Sequence, residues 1–409
     1  MTLSLSSLFT SVAVKTLALV DLPNLGSHQH ELNGSSRLRD FFGHEKVTGG
    51  LHWHYFAEDD EPVHEVGTFT FYDSRAKSAS RTGRTEWRMY YTGEFLQRAS
   101  PGDLLILARS TAGDLHALVL EADSSWMRSA TVLFDVEVNE PKFLVADSGT
   151  LDRRKIEFVS QRIIEELQLD LALPADRDFR TIARRELKLA REHGLKFPST
   201  ARMAELARLA VTSEPDEADA TILKWLDAEE RIFRAVEQLV VDVKLRAGFD
   251  SVDDFVAYSL SVQNRRKSRM GLALQNHLGE LFRLNNIRFE AQAFTENRKR
   301  PDFLFPGSRE YHDLEFNASR LSMLAAKSSC KERWPQILTE ADRIEVKHLC
   351  TLEAAISEAQ TQEMQRKGVV LVLPSALHAT YTASQRRNLM TLRGFIEQVR
   401  AEQSGRHAR

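Results

Sequence analysis

Cysteine is nearly absent: Cys330 and Cys350 are the only two in 409 residues. A secreted chain of this size would more often carry a paired disulfide framework, so a reducing cytoplasm is the expected setting. No stretch reaches the roughly 18 to 20 uninterrupted apolar residues that a bilayer-spanning helix needs, and no membrane partner is expected. The run from Leu3 to Leu22 mixes apolar residues with serines, Lys15 and Asp21, which is not the pattern of a signal peptide. An excess of positive charge is missing too. The formal net charge of -3 excludes a protein that coats nucleic acid by uniform phosphate neutralisation, so any DNA binding must come from local basic clusters.

What is present fits a globular protein of two or three units, at a prior of roughly 150 residues per domain. Between about residues 10 and 150, short alternating or apolar runs such as Thr68 to Tyr72, Trp87 to Tyr91, Leu104 to Ala108 and Ala117 to Leu120 are separated by Gly-Asp turns, which predicts a mainly β domain. Past residue 152 the apolar spacing becomes helical, and the stretch 212–217, with Pro215 and its acids, reads as a boundary. Residues 218–246 have helical spacing that ends at Gly248. Beyond lie a helix at 270–285, a strand around 302–305, a strand leading into Lys327, a helix after Lys331 and an apolar strand from Val369 to Leu373. Helices alternating with apolar strands predict an α/β carboxy-terminal domain. The expected division is 1–170, a helical connection at 171–217, and 218–409.

Hydrolysis of a phosphodiester calls for a divalent metal held by carboxylates and a lysine near the scissile phosphate. Asp302 follows Pro301 at the head of an apolar strand, where a rigid element can hold it. The usual spelling of such a site places an acid two residues before the lysine, but Ala325 stands there before Lys327. Glu340 follows thirteen residues after Lys327, on a segment expected to be helical, from which a carboxylate can fill the same point in space. Taken singly, each of these charges reads more readily as an ordinary structural or solvated side chain.

Together these residues resemble the migrated active site of EcoRII-type restriction endonucleases, in the PD-(D/E)XK nuclease superfamily. The segments Gly248 to Phe255, Asn264 to Arg269, Pro301 to Pro306, Tyr311 to Phe316, Leu373 to His378 and Leu389 to Leu392 carry the likeness across nearly all of 218–400. The resemblance implies a restriction-endonuclease-like α/β fold, Mg2+ bound by Asp302 and Glu340, Lys327 acting at the scissile phosphate, and Tyr311 near the site. One departure stands out: Gln275 occupies a position where the family carries glutamate, and an amide oxygen is a weaker metal ligand.

The same resemblance implies that Lys331, Glu332 and Arg333 read bases at a CCWGG-like palindrome, and that Arg265, Arg266, Lys267 and Arg269 meet the duplex. Glu332 stands where an aspartate is more usual. For the amino-terminal part it implies a DNA-binding pseudobarrel that serves as an effector domain, with His28, Gln29, Arg75, Arg81, Arg84 and Arg88 as its contacts. A homodimer and a cognate cytosine methyltransferase in the same restriction-modification system are expected as well. Two other readings remain open: a DNA-binding regulator weakened in catalysis by Gln275, and a repair nuclease of the same superfamily directed to mismatches or structures.

Overall fold

A computed structural model describes residues 9–23, 30–58, 60–76, 85–110, 113–134, 143–147, 177–192, 197–212, 214, 216–327 and 334–405. The chain divides into two units, Thr2–Ala172 and Leu173–Arg409. Among the described residues no helix is long and apolar enough to cross a membrane.

The first unit is built on strands β1 (Phe9–Thr16), β2 (Glu31–Gly34), β3 (Val47–Phe56), β4 (Val63–Asp73), β5 (Trp87–Tyr91), β6 (Leu104–Ser110), β7 (Leu115–Leu120) and β8 (Leu144–Asp147), with helices α1 (Ser36–Phe42) and α2 (Ser125–Phe134). They form one eight-stranded sheet in the order β2-β5-β4-β3-β7-β6-β1-β8. All pairings are antiparallel except β3 with β7. Alternation decides which face is covered. Leu51 and Trp53 of β3 join Phe71, Met89 and Leu107 in a core on which Phe42 packs, whereas β7 is buried along its whole length. On the sheet's other face lies α2, where Trp126 meets Phe56 of β3 and Phe134 meets Phe9 of β1.

This sheet also collects four histidines. His54 approaches His64 (Nδ1 to Nδ1, 2.8 Å) and His116 (Nε2 to Nδ1, 3.1 Å), and His52 stacks on His116. Burial, reinforced by the neighbouring imidazoles, lowers His54 to about 3 and His116 to about 4.

The second unit opens with α3 (Arg177–Glu192) and α4 (Thr200–Ala210), which pack on α5 (Ala218–Ala247) through Leu187, Met203, Ala207, Ile232 and Phe233. Ahead of α5, the Glu214 carbonyl accepts from the Thr221 hydroxyl at 2.9 Å. Helix α5 has cations in its last turn and ends at Gly248, whose φ of 79° is one that side chains resist. Helix α6 (Val252–Leu284) starts at an N-cap, Ser251, that accepts from the Asp254 amide at 3.1 Å. It thus extends the helix expected at 270–285 by five turns.

Five strands follow: β9 (Glu290–Ala291), β10 (Phe303–Phe305), β11 (Ser322–Lys327), β12 (Lys347–Thr351) and β13 (Val369–Val372), ordered β13-β12-β11-β10-β9. β11, β12 and β13 are parallel, while β9 and β10 are antiparallel additions. Helices α7 (Ser308–His312), α8 (Glu358–Arg366) and α9 (Leu392–Ser404), with a single helical turn at Ala383–Arg386, accompany these strands in this mixed α/β unit. Phe282 of α6 sits edge-on against Phe303 and Phe305, with Phe395 of α9 behind. Asp219 of α5 accepts from the amides of Leu392, Arg393 and Ser375, each at 3.0 Å, so a carboxylate stabilises the amino end of α9.

The depressed histidines set a pH prediction for the first unit. Imidazoles titrate near pH 6.5 in an unfolded chain. Their stabilising neutral state is thus fully present above about pH 6.5 and is lost as the pH falls towards the folded values. Each contributes up to ~1.4 kcal/mol per pH unit. Amide hydrogen exchange in β3 and β7 of the full chain should show protection falling between pH 6.5 and 4.5. The fall should be shallower in His54→Gln, and equal slopes in the two proteins would contradict the assignment.

Candidate functional site

Antiparallel pairing of β10 with β11 brings the first residue before β10 beside the last residues of β11, so Asp302 and Lys327 meet although they are 25 positions apart. Asp302 is 6% exposed. A carboxylate at that depth is unfavourable without partners, and it has four. Its Oδ2 accepts from the Ala326 amide at 2.7 Å and from Lys327 Nζ at 3.1 Å. Its Oδ1 accepts from Gln275 Nε2 and from Gln292 Nε2, both at 2.8 Å.

Gln275 arrives from the carboxy-terminal third of α6, the helix that crosses this sheet. Gln292 follows β9 with a φ of 54°, a left-handed backbone that a non-glycine residue adopts only when its surroundings enforce it. Sequence reasoning did not find Gln292. A lone glutamine beside a short strand carries no signal, and only the positive φ sets it apart.

Glu340 joins this group by a route different from the expected one. The segment before it is not an α-helix but a 3-10 turn, Trp334–Thr339, with Pro335 in its first turn and Ala341 left-handed (φ 51°) just beyond. The Glu340 carboxyl is driven up to about 7, first by burial and then by the nearby Asp302 charge, against the pull of Lys327, Lys299 and Lys347. Its Oε2 is buried and has no hydrogen-bond partner among the described residues. Ala325, in the place where the ordinary motif would carry an acid, is fully buried in β11. The donors are oxygen atoms of two carboxylates and one amide. That set, with an orphaned buried oxygen, fits a hard divalent cation that keeps waters and takes its remaining ligands from a phosphate. Among the described residues no group of three or more His, Cys, Asp or Glu is arranged to hold a metal, in keeping with an amide at position 275.

The remaining expected residues fall elsewhere. Tyr311 is fully buried, with its hydroxyl donating to the Glu296 carboxylate at 2.5 Å. Burial and that partner raise its pKa; burial also acts upward on Glu296, but the Tyr311 hydroxyl and backbone amides outweigh it and hold the carboxyl below its usual value.

The basic run on α6 is turned largely inward, towards acids of α5. Arg269 is 6% exposed and pairs with Glu229 and Glu230. Arg266 donates to Glu237 at 2.6 Å, and Arg265 lies over the Phe197 ring. Arg269 is therefore spent on the joint between α5 and α6, where Glu229 also lies 2.9 Å from the buried His277. The side chain of Lys267 lies outside the described residues, as do Lys331, Glu332, Arg333, His28, Gln29, Arg81 and Arg84. In the first unit, Arg88 pairs with Glu31 and Glu86, and Arg75 with Glu86.

Residues 233–396, which contain the whole Asp302 site, match a family model described as EcoRII C terminal. This region is thus similar to the EcoRII C-terminal family. A curated relative, the type II restriction enzyme EcoRII of Escherichia coli, is 46% identical over 206 residues, covering 50% of this chain and 51% of the relative. The chain thus aligns with about half the length of that enzyme. Among solved structures, metal-depleted Ecl18kI with uncleaved, modified DNA is similar at a TM-score of 0.43 and 18% identity, over 56% of this chain and 86% of that one. A PspGI–substrate DNA complex gives 0.44 and 14%, over 51% and 95%.

Within this region, Gln275→Glu should exchange a hydrogen-bond donor to Asp302 for a second negative charge. The metal-free variant should then melt a few degrees lower than wild type, since a shift of about 1 kcal/mol moves the midpoint of a domain this size by roughly 2 to 4 °C. Added Mg2+ should stabilise it more than wild type. Scanning fluorimetry with and without metal checks this; an unchanged metal-free midpoint would contradict the hydrogen bond to Asp302.

Proposed function

We propose that this protein is a type II restriction endonuclease, a magnesium-dependent hydrolase that cuts double-stranded DNA at a short CCWGG-like palindrome. The observation that carries the reading is the meeting of Asp302, Lys327 and Glu340 in a region of the EcoRII C-terminal family. Asp302 and Glu340 would hold Mg2+, with Gln275 as a weak neutral neighbour. Bound there, the ion supplies a water of lowered pKa and neutralises charge that builds on the phosphate. Asp302 is kept in one orientation by its four hydrogen bonds, and the two glutamine amides on its Oδ1 would have to yield for that oxygen to meet the ion. Lys327, anchored by one contact to Asp302, presents its ammonium to the scissile phosphate and stabilises the developing negative oxygens.

Specificity in this reading comes from Lys331, Glu332 and Arg333 at base edges. Arg265 and Lys267 would meet phosphates, with Arg266 and Arg269 supporting from within. Residues 1–170 would form a pseudobarrel effector domain that binds a second copy of the site through His28, Gln29, Arg75, Arg81, Arg84 and Arg88. The working unit would be a homodimer, with a cognate cytosine methyltransferase protecting the host genome.

A second reading has one observation in its favour: the Gln275 amide occupies Asp302 Oδ1 where a glutamate would add a metal ligand, as in a binding protein that has lost catalysis. Incubation of the full chain with Mg2+ and an unmethylated plasmid bearing several CCWGG sites, followed by sequencing of new ends, separates the two. Discrete ends at one palindrome are expected, with Lys327→Ala slower by ~100-fold or more while still shifting the DNA on a gel. Intact DNA with retained binding would favour the binding protein, and ends scattered or confined to mismatches would sink the restriction reading.

A further inference from the structure

The turn that follows Glu340 is held by side chains from three other places in the fold. Its successive amides each find a side-chain acceptor. Ala341 N donates to Thr295 Oγ1 at 3.4 Å, Asp342 N to Glu296 Oε2 at 3.1 Å, and Arg343 N to the Tyr311 hydroxyl at 3.3 Å. From the opposite side, the buried Lys347 donates to the carbonyls of Ala341 (2.6 Å) and Ile344 (2.5 Å). Arg343 then locks onto the α7 region, donating to the carbonyls of Asp313 at 2.9 Å and Phe316 at 3.0 Å. Ala341 is left-handed, so this turn is enforced rather than relaxed.

Two details give the arrangement a purpose. The Tyr311 hydroxyl donates to both oxygens of Glu296 (2.5 and 2.6 Å) and accepts from Arg343 N, and its ring is fully buried, so its polar atom is committed within the protein. Thr295 and Glu296 also begin the loop that runs into Asp302, and that loop is closed by Thr295 N donating to the Lys299 carbonyl at 2.9 Å. One short segment therefore holds the turn behind Glu340 and leads directly to Asp302.

We propose that Glu296, bridged by Tyr311, is a positioning residue that fixes the Glu340 turn relative to Asp302 and so sets the spacing of the two carboxylates. This rests on the reading in which those carboxylates share a metal. Tyr311 then acts through Glu296 and the turn, and touches no reacting atom. Second-layer partners of metal ligands commonly alter affinity by about 10- to 100-fold.

Calorimetric titration of the full chain with Mn2+, without DNA, tests this in wild type, Glu296→Gln, Tyr311→Phe, Glu340→Gln and the Tyr311→Phe/Glu340→Gln double variant. Tyr311→Phe and Glu296→Gln should each weaken Mn2+ binding by about tenfold. Tyr311→Phe should have no further effect once Glu340 is replaced, because both changes act on one ligand. Hydrogen exchange should speed up at residues 341–343 in Tyr311→Phe while β10 and β11 stay protected, a readout that stands even if Glu296→Gln folds poorly. Wild-type affinity in Tyr311→Phe and Glu296→Gln, with Glu340→Gln weakened, would overturn the positioning role alone. Full additivity in the double variant would do the same. Wild-type affinity in Glu340→Gln would remove the metal reading and this inference with it.

Discussion

The second unit is organised around a buried negative charge. Asp302 sits at 6% exposure with one cation beside it, and neither the strand end nor the sheet alone could supply the donors it needs. The fold brings them from four places: Gln275 on α6, Gln292 after β9, the Ala326 amide and Lys327 at the end of β11. A buried carboxylate left short of partners costs several kcal/mol, so each of these elements is constrained to arrive where it does. The phenylalanine cluster between α6, β10 and α9 supplies the apolar burial that keeps α6 pressed on the sheet.

Charge accounts for the contrast between the two carboxylates. Asp302 has four donors, whereas Glu340 has a buried oxygen with none among the described residues and a carboxyl pushed up to about 7. Any residual negative charge on these two acids, set against Lys327, Lys299 and Lys347, is what would draw a divalent ion. An amide at position 275 lowers that residual charge by one relative to a glutamate there. The protein as it stands thus holds its metal-free site together better, at the expense of attraction for the ion.

Much of this could be read from the sequence, and the limits follow from physics. The strands at 303–305, 322–327 and 369–372, and the helix ending at Gly248, are legible because their apolar periodicity and turn residues are local. Asp302, Lys327 and Gln275 were found from motif and resemblance, and the structure brings these three together. The helix expected to carry Glu340 became a 3-10 turn because Pro335 and a left-handed Ala341 bracket only a few residues. Arg266 and Arg269 read as a DNA-facing cluster because their partners Glu237, Glu229 and Glu230 lie 29 to 40 positions earlier on α5, a distance no local pattern conveys. Gln292 and Glu296 had no sequence signal at all, since the partners their side chains meet are brought to them only by the fold.

The central claim is that Asp302 and Glu340 together form one divalent-metal centre beside Lys327. Anomalous diffraction from crystals of the full chain grown with a CCWGG duplex and Mn2+ tests it most directly. The account predicts a manganese peak bonded to oxygens of both carboxylates, with Lys327 directed at the adjacent phosphate. A peak elsewhere, or one bound to Asp302 alone with Glu340 turned away, would contradict it.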